Sequence, residues 1–176
     1  MKSEHIYLRP LLVSDAAIYK KSMDDKEIML MTGTKAQYSI EQIETHIKAI
    51  INDETREDYA ICLNETKEMI GELSILSIDQ DNKSAGFRIA LNNQKVIGKG
   101  FGSEATKLVI QHVFEELKLN RLQLEVFSHN PRGIRAYEKC GFVREGVLRE
   151  ALFYDGTYSD EIIMSIIRKD YKKINQ

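Results

Sequence analysis

Three glycines alternate with other residues directly before a long amphipathic helix pattern. They are Gly98, Gly100 and Gly102 in the stretch VIGKGFGSEATKLVIQHVFEEL. The first turn of a helix has unpaired backbone N–H groups and the positive end of the helix dipole, and glycine lets a ligand approach the backbone closely. This combination favours an anion, and a pyrophosphate suits it well. A glycine turn without a ligand is the alternative, which three glycines at a helix start disfavour.

Two known phosphate-binding motifs can be compared with this loop. The run from Gly100 to Ala105 fits the dinucleotide fingerprint G-x-G-x-x-A, and Glu125 follows at a suitable distance. That fingerprint should follow its strand directly, whereas the polar residues NNQK precede this loop. A Walker loop is excluded because no Gly-Lys-Ser/Thr ends the stretch. A nicotinamide-dependent oxidoreductase therefore remains a less favoured alternative.

The elements that position the loop follow from hydrophobic periodicity and turn residues. HIYLRPL alternates as a strand, and two helices follow it, over SDAAIYKKSM and SIEQIETHIKAIIND. Ser39 and Gln42 form a capping box at the second of these helices. Three short apolar runs separated by polar turns then indicate an antiparallel meander: DYAICLN, EMIGELSILSID and SAGFRIAL.

The second half of the chain alternates helices and strands. The glycine loop opens a helix, RLQLEVF is the next strand, and NPRGIRAYEKCGF is a short helix that Asn130 can cap. Asp155-Gly156 joins the last two strands as a hairpin. The predicted order is βααβββαβαββ, an α/β domain with a mixed central sheet of about seven strands.

Length and composition limit the class of protein. The chain has 176 residues, 43% of them hydrophobic and 30% charged, with a net charge of −2. We expect one domain over residues 1–176, with neither a nucleic-acid nor a membrane partner, because no strong positive field and no spanning apolar run are present. Cys62 and Cys140 are predicted to be reduced thiols of a cytoplasmic protein. The four histidines lack metal-ligand spacing, so no metal is expected.

Two motifs in order carry a resemblance to a known family. GKGFGSEA is followed about thirty residues later by NPRGIRAYEKCGF. Together they resemble the GCN5-related N-acetyltransferase (GNAT) superfamily, with its pattern Gln/Arg-x-x-Gly-x-Gly/Ala and then Asn…Ala-x-x-Tyr-Glu-Lys-x-Gly-Phe. The resemblance covers nearly the whole chain. IYLRPL and the ending GFVREGVLREALFYDGTYSDEIIMSII are further similar to the branch containing ribosomal-protein N-terminal acetyltransferases and spermidine acetyltransferases.

The resemblance implies that acetyl-CoA is the anion and that the fold is the GNAT fold. The fourth and fifth strands would then splay apart in a V, and the pantetheine arm would enter the gap. The implied cofactor-binding residues are Ile89, Ala90 and Leu91 on the strand, Gly98, Lys99, Gly100, Phe101, Gly102 and Ser103 on the loop, and Asn130 and Tyr137 on the short helix.

Three positions depart from the family pattern. Ile97 stands where the family has its first Gln or Arg, so main-chain contacts alone would hold the phosphates. Gly133 stands where Ala is usual, and Gly86 stands where many relatives carry Glu, a common base candidate.

The chemistry of acetyl transfer requires three kinds of group. The ammonium must lose a proton, the developing oxyanion needs a donor, and the leaving thiolate needs an acid. The Tyr-Glu-Lys motif implies that Tyr137 is the general acid, and a phenol with an ordinary pKa of about 10 stays protonated at neutral pH. Glu72 and Glu125 are the candidate bases, and a water chain is the third option.

These inferences predict an acetyl-CoA-dependent N-acetyltransferase in which the amine attacks directly within a ternary complex. The expected acceptor is a primary amine, namely a protein N-terminus, a polyamine or a small amine, and the chain is compatible with a homo-oligomer. The acidic stretches MDDKE and NDETREDY would attract a polyamine or form solvated surface. The non-enzymatic alternative is a CoA-binding sensor or scaffold, which the departures at Ile97 and Gly86 favour and Tyr137 disfavours.

Overall fold

The computed structural model describes residues 1–174, which form a seven-stranded sheet with helices on both faces. The strands are β1 Ile6–Pro10, β2 Glu57–Leu63, β3 Met69–Asp79, β4 Ser84–Leu91, β5 Arg121–Phe127, β6 Val143–Tyr154 and β7 Thr157–Ile167. The helices are α1 Ala16–Asp24, α2 Lys26–Thr32, α3 Ile40–Ile50, α4 Phe101–Glu115, α5 Pro131–Lys139 and α6 Arg168–Ile174. The strand order in the sheet is β1-β2-β3-β4-β5-β7-β6.

Alternating side chains of β2 and β3 are buried on both faces of the sheet. Ile61 and Leu73 face the larger core, which α4 and α5 cover with side chains such as Val109 and Ile134. Ala60 and Cys62 face a smaller core closed by α1 and α3, and Ile47 of α3 is fully buried there. Successive residues of a strand point to opposite faces, so the two cores lie on opposite sides of the sheet.

The fourth and fifth strands separate after a short parallel contact. β4 and β5 pair only from Ser84 to Gly86 on one side and from Arg121 to Gln123 on the other. Beyond Gly86, β4 continues to Leu91 paired with β3 alone. The predicted splay between the fourth and fifth strands is therefore confirmed, and it leaves one edge of β4 without a neighbouring strand.

The helix starts follow the capping signals of the sequence. The Ser39 hydroxyl accepts from the Gln42 N–H at 3.3 Å and the Gln42 side chain accepts from the Ser39 N–H at 2.9 Å, so the predicted capping box is confirmed. Asp155 and Gly156 both adopt positive φ in the β6–β7 turn, as the predicted hairpin requires.

The predicted element order is confirmed, with two short helices added to it. The sequence analysis expected two helices after the first strand, and the structure has three, because Asp25 caps an additional helix, α2. Its side chain accepts from the N–H groups of Glu27 and Ile28. α6 follows the last strand. Within residues 1–174 no helix is long and apolar enough to cross a membrane.

Candidate active site

A cleft of about 760 Å³ occupies the gap between β4 and β5 and continues across the sheet to α1 and α2. One end is lined by the glycine loop, the first turn of α4 and the inner side of α5. The other end is lined by side chains of β3, β4, β5 and α1, including Tyr19, Glu72 and Arg88. The cleft thus joins the predicted cofactor loop to the predicted catalytic residues.

The glycine loop presents free hydrogen-bond donors to the cleft. Gly98 and Gly100 have φ of 80° and 90°, a region that L side chains rarely adopt, and Gly100 is the N-cap of α4. No side chain caps this helix, and within residues 1–174 the N–H groups of Phe101, Gly102 and Ser103 have no hydrogen-bond partner. Three unpaired donors at the positive end of a 15-residue helix are chemically suited to an anion.

The space around the glycines permits close approach of a ligand. An added Cβ at Gly98 or Gly100 would meet no atom within 4 Å, and at Gly102 it would meet only Leu91 Cδ1, at 3.8 Å. The positive φ at Gly98 and Gly100 therefore requires glycine for backbone reasons, whereas Gly102, in the first helical turn, has no such requirement.

The free edge of β4 carries the backbone groups predicted to receive an extended ligand. Ile89, Ala90 and Leu91 line the cleft and pair only with β3. Their outer edge faces the gap left by β5, so an extended chain can add there as a strand does.

Most of the predicted cofactor residues meet in the cleft, and two do not. Gly98, Gly100, Gly102 and Ser103 line it, together with Ile97, which supplies no polar group where the family has Gln or Arg. Lys99 and Phe101 do not line the cleft. The half-buried Phe101 side chain packs against the main core, and its ring centroid lies 6.3 Å from that of His5. Lys99 is exposed.

Tyr137 lies in the last turns of α5 and faces the cleft. Its ring packs edge-on against Phe142, with centroids 5.9 Å apart. Within residues 1–174 its hydroxyl has no hydrogen-bond partner, and burial raises the pKa of Tyr137 to about 12. The phenol is therefore protonated at neutral pH and free to donate into the cleft, as a general acid must be.

Asn130 caps α5 and lines the cleft beside Tyr137. Its Oδ1 accepts from the Gly133 N–H at 2.8 Å. A Cβ at residue 133 would lie 2.7 Å from Asn130 Nδ2, so the cap in this form requires glycine at position 133. The Ala of the family pattern at this position would therefore require the Asn130 side chain to shift.

Glu72 is a carboxylate that the fold keeps largely out of water. It lies on β3 opposite Ala90 of β4 and Ala60 of β2, on the sheet face that α1 and α3 cover. Its Oε2 atom is buried and has no hydrogen-bond partner within residues 1–174. Burial raises the pKa of Glu72 to about 8, an effect that the positive charge of Arg88 partly offsets. A carboxylate in this state can accept a proton near neutral pH.

Glu125, the second predicted base, differs from Glu72 in its surroundings. It lies on β5, it lines the cleft, and its side chain is exposed. Its Oε1 accepts from Gln123 Nε2 at 2.8 Å, and its charge contributes to raising the pKa of Glu161 on β7. Exposure and the Gln123 hydrogen bond therefore distinguish Glu125 from the largely buried Glu72, whose Oε2 has no partner within residues 1–174.

Gly86 has little room for the glutamate that many relatives carry. A Cβ there would lie 2.9 Å from Leu76 Cδ1 on the neighbouring strand. The position belongs to the same face of the sheet as Glu72, since Gly86 and Ala90 are four residues apart on β4. Glu72 therefore provides a carboxylate on the sheet face where many relatives have Glu and this chain has Gly86.

Two further residues of the cleft carry no signal in the sequence. Tyr19 of α1 faces Glu72, and burial raises the pKa of Tyr19 to about 12. Arg88 lies on β4, in register with Ser74 of β3. Helical periodicity marks Tyr19 as part of an apolar stripe, and strand alternation marks Arg88 as outward-facing, so neither pattern reveals that both residues meet at one cleft.

Neither cysteine is a nucleophile candidate in this arrangement. Cys62 and Cys140 are free and buried. Cys140 Sγ donates to the Ser103 carbonyl at 3.6 Å, and burial raises the pKa of the Cys140 thiol. Within residues 1–174 there is also no group of three or more His, Cys, Asp or Glu side chains placed to hold a metal ion.

Comparison with protein families gives a match over most of the chain. The family model described as acetyltransferase (GNAT) domain matches residues 5–143. Among curated proteins, the chain is similar to the probable N-acetyltransferase YjcK of Bacillus subtilis (strain 168). The two are 28% identical over 178 residues, which cover 97% of this chain and 98% of that protein.

Solved structures with the same architecture include two of an enzyme from Vibrio cholerae. The first is a spermidine N-acetyltransferase in complex with CoA and spermine, with a TM-score of 0.88, 28% identity and coverage of 95% of this chain and 98% of that one. The second is a dodecameric structure of spermidine N-acetyltransferase in an intermediate state, with a TM-score of 0.84, 26% identity and coverage of 97% and 98%.

Proposed function

From the premise that this chain belongs to the GNAT acetyltransferase family, we propose that its cleft transfers the acetyl group of acetyl-CoA to a small primary amine. The seven-stranded sheet with its short parallel β4–β5 contact is the GNAT fold. The chain is an N-acetyltransferase, and the roles of its residues and the identity of its acceptor are the subject of the proposal.

Acetyl-CoA supplies a thioester, and the residues of one end of the cleft suit its binding. The unpaired N–H groups of Phe101, Gly102 and Ser103 would hold the pyrophosphate by main-chain contacts. The free edge of β4 at Ile89, Ala90 and Leu91 would pair with the extended pantetheine arm. The CoA named with the Vibrio cholerae relative supports this assignment.

The other end of the cleft supplies proton acceptance and proton donation. Glu72 would take the proton of the acceptor ammonium in its ionised form, whose population rises as the pH approaches and passes its pKa of about 8. Tyr137 would donate its phenolic proton to the departing sulfur, because its pKa of about 12 keeps it protonated. We assign Glu125 a supporting electrostatic role at most, since it is exposed and hydrogen-bonded.

The observation that carries the proposal is that the unpaired Oε2 of Glu72 and the unpaired donors of the α4 start belong to one continuous cleft, at its two ends. A buried carboxyl oxygen without a hydrogen-bond partner lowers the stability of the folded state. Such groups are found especially at functional sites. This pairing also disfavours a non-catalytic CoA sensor, which would need the glycine loop and not Glu72. The dinucleotide alternative loses support from the antiparallel β2–β3–β4 meander that precedes the loop.

The test is a measurement of CoA release from acetyl-CoA with a panel of acceptors: polyamines, peptides with free N-termini, amino acids and simple alkylamines. Acetylated product identified by mass spectrometry, with turnover that saturates in both substrates, would support the proposal. CoA binding without acetyl transfer to any amine would identify a sensor or scaffold. Binding of NAD(P) in place of CoA would support the oxidoreductase.

The same proposal covers assembly and location. We propose a single domain over residues 1–176 that self-associates, because five apolar or aromatic side chains of the β6–β7 hairpin are 48–58% exposed: Val143, Val147, Leu148, Phe153 and Tyr158. The dodecameric relative supports self-association.

The two buried free thiols support a cytoplasmic, reducing location. A metal-free reaction with no nucleic-acid or membrane partner remains part of the proposal.

A further inference from the structure

Arg88 is a positive charge on the same sheet face as the proposed base. It lies on β4 in register with Ser74, while Glu72 lies in register with Ala90, two residues further along β4. Residues in this diagonal relationship have Cα atoms about 7–8 Å apart. The side chain of Arg88 is exposed and lines the cleft, and its charge lowers the pKa of Glu72 against the effect of burial.

Arg88 has no direct ion-pair partner in the part of the chain that the structure describes, although its charge acts on Glu72 at longer range. Within residues 1–174 it makes no hydrogen bond and no ion pair within 4 Å. Its neighbour Arg56 differs, because Arg56 holds Asp58 through bonds of 2.7 and 2.6 Å. Ser74 also donates to Asp58, at 2.6 Å. Asp58, which lies beyond Ser74 on β2, is therefore already neutralised by another arginine.

The acidic residues around this end of the cleft are mostly occupied in the same way. Asp24 pairs with Lys20 at 2.9 Å, and Asp25 caps α2. Asp53 accepts from Thr55, and Glu27 pairs with Arg132 at 3.4 Å. These four carboxylates of the acidic stretches thus serve local structure.

Resting on the proposed acetyl transfer, we propose that Arg88 binds a carboxylate of the acceptor, so that the preferred substrate is a small amine carrying a carboxylate a few bonds away. Its ammonium would lie at Glu72 and its carboxylate at the guanidinium, whose planar fork suits a carboxylate bidentately. Arg135 and Lys139 also line the cleft, but they lie on α5 with Tyr137, at the cofactor end. Arg88 alone of these three shares a face with Glu72.

The same charge disfavours a polyamine. If an acceptor bound with one amine at Glu72 brought its next ammonium toward Arg88, the two positive charges would repel at short range. A carboxylate reverses the sign of this interaction at Arg88. Arg88 would thus distinguish the two kinds of acceptor, because it attracts the carboxylate of one and repels the additional ammonium of a polyamine.

The experiment compares matched acceptors in matched variants. L-alanine is compared with L-alaninamide and L-methionine with L-methioninamide, and tetrapeptide amides beginning with Asp are compared with those beginning with Asn. The ratio of kcat/KM for acid over amide is measured in wild type, Arg88→Gln, Arg88→Lys and Arg149→Gln. Arg149 is exposed, does not line the cleft and has no ion pair within residues 1–174, so it is the control.

We expect Arg88→Gln to lower the acid-to-amide ratio about ten- to hundredfold, Arg88→Lys to lower it less, and Arg149→Gln to leave it unchanged. Taking the ratio between variants cancels the different amine pKa values of acids and amides. A response confined to the free amino acids assigns the carboxylate to the acceptor's α-carboxyl group. A response confined to the Asp peptides assigns it to an N-terminal side chain.

Two results would overturn the role of Arg88. One is an Arg88→Gln effect that is equal for acids and amides, which would show that Arg88 acts only through the pKa of Glu72. The other is a preference for spermidine that Arg88→Gln leaves unchanged. Calorimetric binding of the same compounds to CoA-saturated protein gives a readout independent of turnover. A protein that transfers no acetyl group yet binds acids more tightly than amides through Arg88 would refute the proposed function and keep this inference.

Discussion

Glu72 on β3 lies opposite Ala90 on β4, so a largely buried carboxylate stands beside the stretch of backbone that has no strand on its other side. This register places Glu72 on the strand next to that stretch of β4. Gly86, the position where many GNAT relatives carry Glu, lies on β4 four residues before Ala90. The chain therefore keeps a carboxylate on the acceptor face while changing the strand that carries it.

We expect Glu72→Gln to lower kcat/KM at pH 8 by about 10²–10⁴-fold, because the amide cannot accept a proton. In wild type kcat/KM should rise with pH through about 8, since the carboxyl must lose its proton to act as a base. The pH profile of kcat/KM is measured with two acceptors whose amines differ in pKa. This comparison separates the rise caused by Glu72, the acidic limb of the profile, from a rise caused by deprotonation of the amine itself. Glu125→Gln is the control, with a small effect expected. Full activity and an unmoved limb in Glu72→Gln would assign deprotonation to water.

The same substitution should stabilise the protein at high pH. The pKa of Glu72 is raised from 4.5 to about 8, so the folded state holds this proton more tightly than the unfolded state. The corresponding stability is present below pH 4.5 and is lost as the pH rises through about 8. Each pKa unit corresponds to about 1.4 kcal/mol, so the loss is on the order of a few kcal/mol.

Denaturant unfolding of wild type and Glu72→Gln at pH 5 and pH 9 measures this difference. The variant should gain in relative stability between the two pH values, and Glu125→Gln should not. An equal pH dependence of all three proteins would show that water or a counter-ion reaches the Glu72 carboxylate.

Tyr137→Phe should reduce kcat by about 10²–10⁴-fold and leave CoA binding nearly unchanged, because the ring packing on Phe142 remains and only the proton donor is lost. Single-turnover kinetics measure the chemical step, and calorimetry measures the CoA affinity. Since the Tyr137 pKa is about 12, wild type should show no loss of activity from this group below about pH 11. Tyr158→Phe, on the exposed β6–β7 hairpin, is the control. Equal single-turnover rates in wild type and Tyr137→Phe would exclude the role.

Gly102→Ala should weaken CoA binding about tenfold or more without lowering the melting temperature. The residue is in the first turn of α4, where alanine is the better helix former, and its Cβ would meet only Leu91 Cδ1 at 3.8 Å. The effect on binding then reports the approach of a ligand to the backbone and not strain. Gly100 cannot give this separation, because its φ of 90° makes any side chain there strained.

Gly146→Ala is the matched control for Gly102→Ala, since a Cβ at Gly146 meets no atom within 4 Å and the residue lies on β6 outside the cleft. Its CoA affinity should equal that of wild type. Wild-type affinity in Gly102→Ala as well would place the pyrophosphate elsewhere.

Gly133→Ala should destabilise the protein by about 1 kcal/mol, because its Cβ would displace the Asn130 side chain that caps α5. In an Asn130→Ala background the same change should cost nothing or stabilise, since no cap remains to displace and alanine favours the helix. A double-mutant cycle by denaturant unfolding measures this coupling. Additive effects of the two substitutions would show that the cap tolerates a Cβ at position 133.

Local chemistry allowed much of this fold to be predicted. Ser39 with Gln42 and Asn130 with Gly133 form their caps within one helical turn, and the Asp155-Gly156 turn joins strands adjacent in sequence. The anion-binding character of the glycine loop could be predicted for the same reason, because its free N–H groups belong to the helix that the loop begins. The two motifs and their order were sufficient to indicate the family. The additional helix α2 was missed because Asp25 has the same appearance in the sequence as a solvated acidic residue.

Strand order, in contrast, is not local, and it decided the site. Periodicity shows that Glu72 and Arg88 alternate with apolar residues, which is equally typical of solvated positions. Only the pairing of β3 with β4 places Arg88 on the sheet face of Glu72, and only the packing of α1 on that face buries Oε2 of Glu72. Burial and strand pairing depend on residues distant in sequence. The sequence therefore determined where acetyl-CoA is expected to bind, and the tertiary structure brought together the carboxylate and the cation that we propose face the acceptor.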